Sequence, residues 1–171
     1  MISPRRTTLE ANGLRARDSL RQEEFVRRVQ FRCGLLTASA AELAVEATLT
    51  ALGERLYAEA EAEADVEASG ESGDAASELA FELSSLSSRH TGIEIPTRSG
   101  AARAGAGEEF CLKEFSLTGL FERIGAATGV GLAEAERHAC AVALTLEEAA
   151  GDGELDGIRS RLPDEYELLF V

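Results

Sequence analysis

Apolar residues recur at helical spacing along most of this chain. Leu117, Leu120, Phe121 and Ile124 fall at i, i+3, i+4 and i+7, with Glu122 and Arg123 on the opposite side. That is one stripe of an amphipathic helix. Gly129 follows, where a residue tolerant of positive φ stops a helix at little cost. A second helix is predicted from about Leu132 to Ala150. On it Ala135, Ala139, Val142, Leu146 and Ala149 alternate four and three apart, a seam suited to packing on another helix. Gly151-Asp152-Gly153 breaks it, and Leu155, Ile158 and Leu162 make a short third stripe. Pro163 with Asp164 and Glu165 reads as a helix start, since proline there loses no needed N–H and the acids suit the dipole. Tyr166, Leu169 and Phe170 are predicted to bury the last turn.

The upstream half carries a degraded copy. A helix is predicted over about 17–33, with Leu20, Phe25, Val26 and Val29 inward and Gly34 at its end. Ser39 and Glu42 have the spacing of a capping box for a next helix that buries Val45, Leu49, Leu52 and Leu56. At a displacement of 95 residues, Phe25, Val26, Arg28, Val29 and Gly34 match Leu120, Phe121, Arg123, Ile124 and Gly129. At 94, Ala41, Glu42, Val45, Leu52 and Glu54 match Ala135, Glu136, Ala139, Leu146 and Glu148. At 79, Leu79 and Leu83 match Ile158 and Leu162, so the first copy holds extra residues between its second and third helices. Self-similarity of this length outweighs any single position.

The expected architecture is therefore all-α: an internally duplicated helical bundle with about three to four short helices per repeat. Residues 1–16, arginine-rich with Pro4, Asn12 and Gly13, read as a basic flexible tail. Residues 17–89 form the first repeat, with an acidic insertion near 57–73 that contains Glu59, Glu61, Glu63, Asp65, Glu67 and Glu71. No lysine or arginine lies between Arg55 and Arg89. Alternating alanine and acid fits either a solvated helical extension or a disordered acidic loop. Residues 90–111 read as a glycine-rich linker, in which Ile93-Glu94-Ile95 is too short to assign as a strand, and 112–171 as the second repeat.

The formal charge of −14 argues against general binding to nucleic acid or an anionic membrane. It is unevenly spread: residues 1–32 hold eight arginines against four acids. Cys33, Cys111 and Cys140 are odd in number and widely spaced, which suits a reducing cytosol better than a disulfide framework. No apolar run approaches the roughly 20 residues of a membrane span, and Met1-Ile2-Ser3-Pro4-Arg5-Arg6 lacks the apolar core of a signal peptide. A cytoplasmic location is expected.

The doubled pattern resembles an uncharacterised bacterial family catalogued as domain of unknown function 2267. The residues that carry the likeness are Phe115-Ser-Leu-Thr-Gly-Leu-Phe-Glu-Arg-Ile124, Ala135-Glu136 and Arg161-Leu-Pro-Asp-Glu165, with Glu24-Phe-Val-Arg-Arg-Val29 and Leu52-Gly-Glu-Arg-Leu56 in the first copy. The resemblance implies an all-helical, internally duplicated bundle and no established activity. The first copy departs from the pattern at Ser84, which stands where the proline of Leu-Pro belongs, so the end of its third helix is open.

Candidate chemistry is sparse. Asp152-Gly-Glu-Leu-Asp156-Gly157 opens like a calcium loop, but Pro163 stands where the bidentate glutamate is required. His138 and Cys140, two apart on a helix, point in different directions rather than at one metal. A Cys–His nucleophilic pair is open on spacing alone, although cysteine on an alanine-rich helix is usually a small core residue. Neither a phosphate-binding loop nor a Gly-x-Ser-x-Gly elbow occurs. Arg28 and Arg123 recur at equivalent positions, and an ion pair beside the bundle explains them most simply. With no catalytic, cofactor or metal residue assigned, the leading expectation is a non-enzymatic interaction or scaffolding protein, its partner a protein or a second copy. The acidic insertion is its contact element. The alternatives are an enzyme or ligand-binding protein with a pocket between the repeats and Cys33 or Cys140 as reactive group, and a nucleic-acid-linked regulator acting through Arg5–Arg32.

Overall fold

A computed structural model of the chain describes residues 21–66, 73–92, 116–150, 153 and 155–171, the side chains of 57–66 and 73–80 excepted. The described residues are helical, with no strand among them. In chain order they form α1 (Arg21–Cys33), α2 (Ala38–Val66), α3 (Gly73–Thr91), α4 (Leu117–Thr128), α5 (Leu132–Ala150) and α6 (Asp156–Arg159). A terminal 3-10 helix, Asp164–Phe170, closes the chain.

The apolar stripes become one core. Phe25, Val26 and Val29 of α1 join Val45, Leu49, Leu52 and Leu56 of α2, Leu83 and Leu86 of α3, and Leu120 and Ile124 of α4. The alanine seam of α5 is fully buried at Ala135, Ala139 and Val142. It packs on both α2 and α4, since small side chains let helix backbones approach closely. Leu155, Ile158, Leu162, Tyr166 and Leu169 fold back to cover the same core.

Local chemistry sets the helix ends. At Gly34 (φ 66°) the amide of Leu35 donates to the Gln30 carbonyl at 3.0 Å. At Gly129 (φ 73°) the amide of Val130 donates to the Gly125 carbonyl at 3.1 Å. Both are glycine-terminated caps that only a residue free of Cβ strain adopts readily. Ser116 caps α4, its Oγ accepting from the Gly119 amide at 3.1 Å. The Glu165 carboxylate accepts from the Leu117 amide at 2.9 Å, tying the terminal 3-10 helix to the start of α4.

The local structure revises some expectations and answers others that the sequence left open. The cap of α2 is Thr37, whose Oγ1 accepts from the Ala40 amide at 3.2 Å, rather than the Ser39–Glu42 box; α2 has already begun at Ala38. With no proline at Ser84, α3 keeps its hydrogen-bonding N–H there and runs on to Thr91, where it ends at Gly92 (φ 69°). His90 therefore belongs to its last turn rather than to a linker. The acidic stretch is helical in backbone through Val66. Pro163 precedes a 3-10 helix rather than an α-helix, and Tyr166 donates back to its carbonyl at 2.8 Å. Residues 1–20, with Leu20, and residues 93–115, with Ile93-Glu94-Ile95 and Cys111, lie outside the described residues.

Candidate functional site at the junction of α1 and α5

The polar side chains best placed to do chemistry converge where α1 crosses α5. Arg28 on α1 takes Glu24 one turn away at 3.0 Å and Glu148 on α5 at 3.4 Å. Arg32 reaches Glu148 as well, and its second guanidinium nitrogen donates to the Thr145 hydroxyl at 2.8 Å. Likewise, Arg123 on α4 meets Glu54 on α2 at 2.6 Å. The arginines singled out in the sequence are thus engaged by glutamates of the opposite half of the chain. Half-exposed pairs of this kind are worth about 0–1 kcal/mol each, enough to set orientation but not to drive folding.

The two described thiols, at the end of α1 and on α5, each approach a backbone carbonyl. Cys33 Sγ lies 3.8 Å from the Arg137 carbonyl oxygen on α5, and Cys140 Sγ lies 3.8 Å from the Leu168 carbonyl oxygen. Burial pushes the Cys33 thiol from its ordinary 9.0 up to about 11, against the opposing pull of the Arg137 charge. Burial also raises Cys140, and Glu136 adds to the effect. A nucleophilic cysteine needs the reverse, a partner that stabilises its thiolate.

His138 supplies no such partner. It is buried among the small residues of α5, no hydrogen bond joins it to either thiol, and its Nδ1 has no partner. Burial lowers its pKa below 6.5, so it is a neutral imidazole at pH 7. Among the described residues no group of three or more histidine, cysteine or carboxylate side chains is placed to hold a metal. Of the calcium-like stretch, residues 152 and 154 lie outside the described residues, and Asp156 opens α6.

Sequence reasoning missed the exposed apolar residues. Phe31 is 88% and Leu36 97% exposed, and Phe81 and Leu168 are also solvated. Periodicity gave no signal for them, because each falls off the stripe of its own helix or in a turn. Glu54 and Glu148 did carry a signal: they are matched at the same displacement as the alanine seam.

These features define an all-helical bundle protein in which ion pairs of α1 with α5 and of α4 with α2 flank an apolar core. The chain belongs to the family described as Uncharacterized conserved protein (DUF2267), whose sequence model matches residues 72–169, from just before α3 into the terminal 3-10 helix. No curated protein and no solved structure matches it. Among the described residues no single helix is long and apolar enough to cross a membrane.

Proposed function

We propose that this is a non-enzymatic helical interaction or scaffolding protein of the bacterial cytoplasm, built by duplication of a unit of three to four short helices. The observation that carries the reading is the corner between α1 and α2. Phe31 and Leu36 stand there almost wholly in water, while Ala126 and Gly131 occupy the positions 95 residues on. Two large apolar side chains at one exposed corner, absent from its counterpart, mark a contact surface.

Duplication is supported by reciprocity. Arg28 pairs with Glu148, and its counterpart Arg123 pairs with Glu54, the counterpart of Glu148. Residue i meeting j while their counterparts meet in exchange is the pattern of two halves related by a two-fold axis. The caps at Gly34 and Gly129 repeat the relation. The acidic stretch 57–73 is a second contact element, suited to a basic partner or to the arginine-rich head of the chain itself.

The test is capture from lysate of the native source by three forms: wild type, Phe31→Ser with Leu36→Ser, and a deletion of 57–72. Each is first shown by circular dichroism to keep its helicity. A specific partner, or self-association by sedimentation, that is lost in either variant supports the reading. Equal capture by all three sinks it, as does a metabolite that binds stoichiometrically in a thermal-shift screen.

A further inference from the structure

The corner between α1 and α2 is clamped by its own hydrogen bonds. The Leu35 amide donates to the Gln30 carbonyl at 3.0 Å, and the Gln30 side chain donates in turn to the Leu35 carbonyl at 3.2 Å. Phe31 and Leu36 each follow one of these two residues, so the clamp keeps them neighbours across the turn. Leu35 packs against the core while Leu36 stands in water. Leu43, seven residues and about two helical turns after Leu36, also faces away from the core and is exposed.

The charges beside this apolar centre differ in sign on its two sides. On α1, Arg27 stands one turn before Phe31, 75% exposed, and its ion pair with Glu24 is stretched to 4.0 Å. On α2, Glu42 and Glu46 flank Leu43, and both are exposed. A surface with base on one side and acid on the other, about an apolar middle, is complementary to itself after half a turn. The second half of the chain carries no equivalent. Ala126 and Gly131 replace Phe31 and Leu36, Arg137 replaces Leu43, and Glu122 replaces Arg27.

We propose that two copies of this chain pair through the α1–α2 corner about a two-fold axis. A second copy as occupant rests on the reading of this corner as a contact surface. Phe31, Leu36 and Leu43 of the two copies meet at the centre, and Arg27 of each faces Glu42 and Glu46 of the other. An isologous contact occupies the patch on both partners, so one such corner per chain closes the assembly at two copies. Three apolar side chains fall well below the roughly 800 Å² per partner of a standard stable complex, so the dimer exchanges with monomer at micromolar concentrations and above.

The test is sedimentation equilibrium of the full chain under reducing conditions, from about 5 to 500 μM, the range in which small interfaces dissociate. The weight-average mass should rise with concentration from the 18.2 kDa of one chain toward twice that. Phe31→Ser with Leu36→Ser, shown helical by circular dichroism, should weaken pairing by at least about tenfold. Arg27→Glu should weaken it by about tenfold, and so should Glu42→Arg with Glu46→Arg, because each sets like charges opposite one another in the homodimer. Mixing these two charge variants restores both contacts at once, so the mixture should pair as tightly as the wild type. A mass that stays at one chain throughout overturns the dimer, as does a dimer indifferent to Phe31→Ser with Leu36→Ser. A mixture no tighter than its components overturns the two-fold arrangement. Failure of the dimer and failure of the underlying reading separate in the lysate. A monomeric chain that loses a captured protein on Phe31→Ser with Leu36→Ser keeps the contact surface with another occupant, whereas unchanged capture removes the surface as well.

Discussion

Arg123 Nη1 lies 2.6 Å from Glu54 Oε2, a contact between residues 69 apart in sequence that joins α4 to α2. Between α1 and α5, Arg28 and Glu148, 120 apart, make the corresponding contact at 3.4 Å. Arg28 also holds Glu24, so its guanidinium is shared, and its contact with Glu148 is the longer of the two. A double-mutant cycle with Arg123→Met and Glu54→Gln, followed by urea unfolding, should give a coupling of about 0.5–1 kcal/mol, limited by partial exposure. The cycle on Arg28 and Glu148 should give less. Coupling well above this range, or larger at Arg28, would contradict the geometry.

The glycine caps permit a cleaner test, because a Cβ built at Gly129 meets nothing within 4 Å. Any cost of Gly129→Ala is then one of backbone strain at φ 73°, about 1–2 kcal/mol. Gly129→Asn should recover part of it, asparagine being the side chain that best tolerates this region. Equal stability of all three proteins in denaturant titration would show that the helix end does not adopt the left-handed cap.

Thr37 and Ser39 separate what the sequence could disclose from what it could not. The apolar stripes were legible because helical burial repeats every three or four residues. Leu49, Ile124, Val142 and Leu169, each on a predicted stripe, are fully buried. The cap was misplaced because Thr37, Ser39 and Ala40 offer two hydroxyls within one turn, and pattern alone does not say where the preceding chain turns in. The choice of Glu148 for Arg28, and the exposure of Phe31, depend on how α1 crosses α5, a long-range relation with no local signature. Thr37→Ala should therefore cost about 1 kcal/mol, while Ser39→Ala is near neutral. The opposite ranking would restore the Ser39 cap.

Thiol reactivity follows from burial. With Cys33 raised from 9.0 to about 11, it holds roughly a hundredfold less thiolate than an unperturbed thiol at any pH well below 9. Its alkylation by iodoacetamide, followed by peptide mass in the reduced protein, should be slower than that of free cysteine by a comparable factor. The rate should climb through pH 9 and level off only near 11. Labelling at the free-cysteine rate at pH 7 would mean that the α1–α5 junction opens readily.

His138 makes stability depend on pH in a defined direction. Its folded-state pKa lies below the ordinary 6.5, chiefly because burial disfavours the imidazolium; nearby Glu134 opposes the shift and Arg137 reinforces it. The unfolded chain consequently binds a proton that the folded one refuses. Stability from this residue is complete above about pH 6.5 and is lost as the pH falls from there through the lower folded-state value. His138→Leu removes the titration at a buried site, so stability measured in urea from pH 7.5 to 5 should decline less steeply in the variant than in the wild type. The carboxylates common to both proteins cancel in that comparison. Identical slopes would mean that His138 is protonated as easily in the folded bundle as in the unfolded chain, and that the packing around its unpartnered Nδ1 is looser than its burial implies.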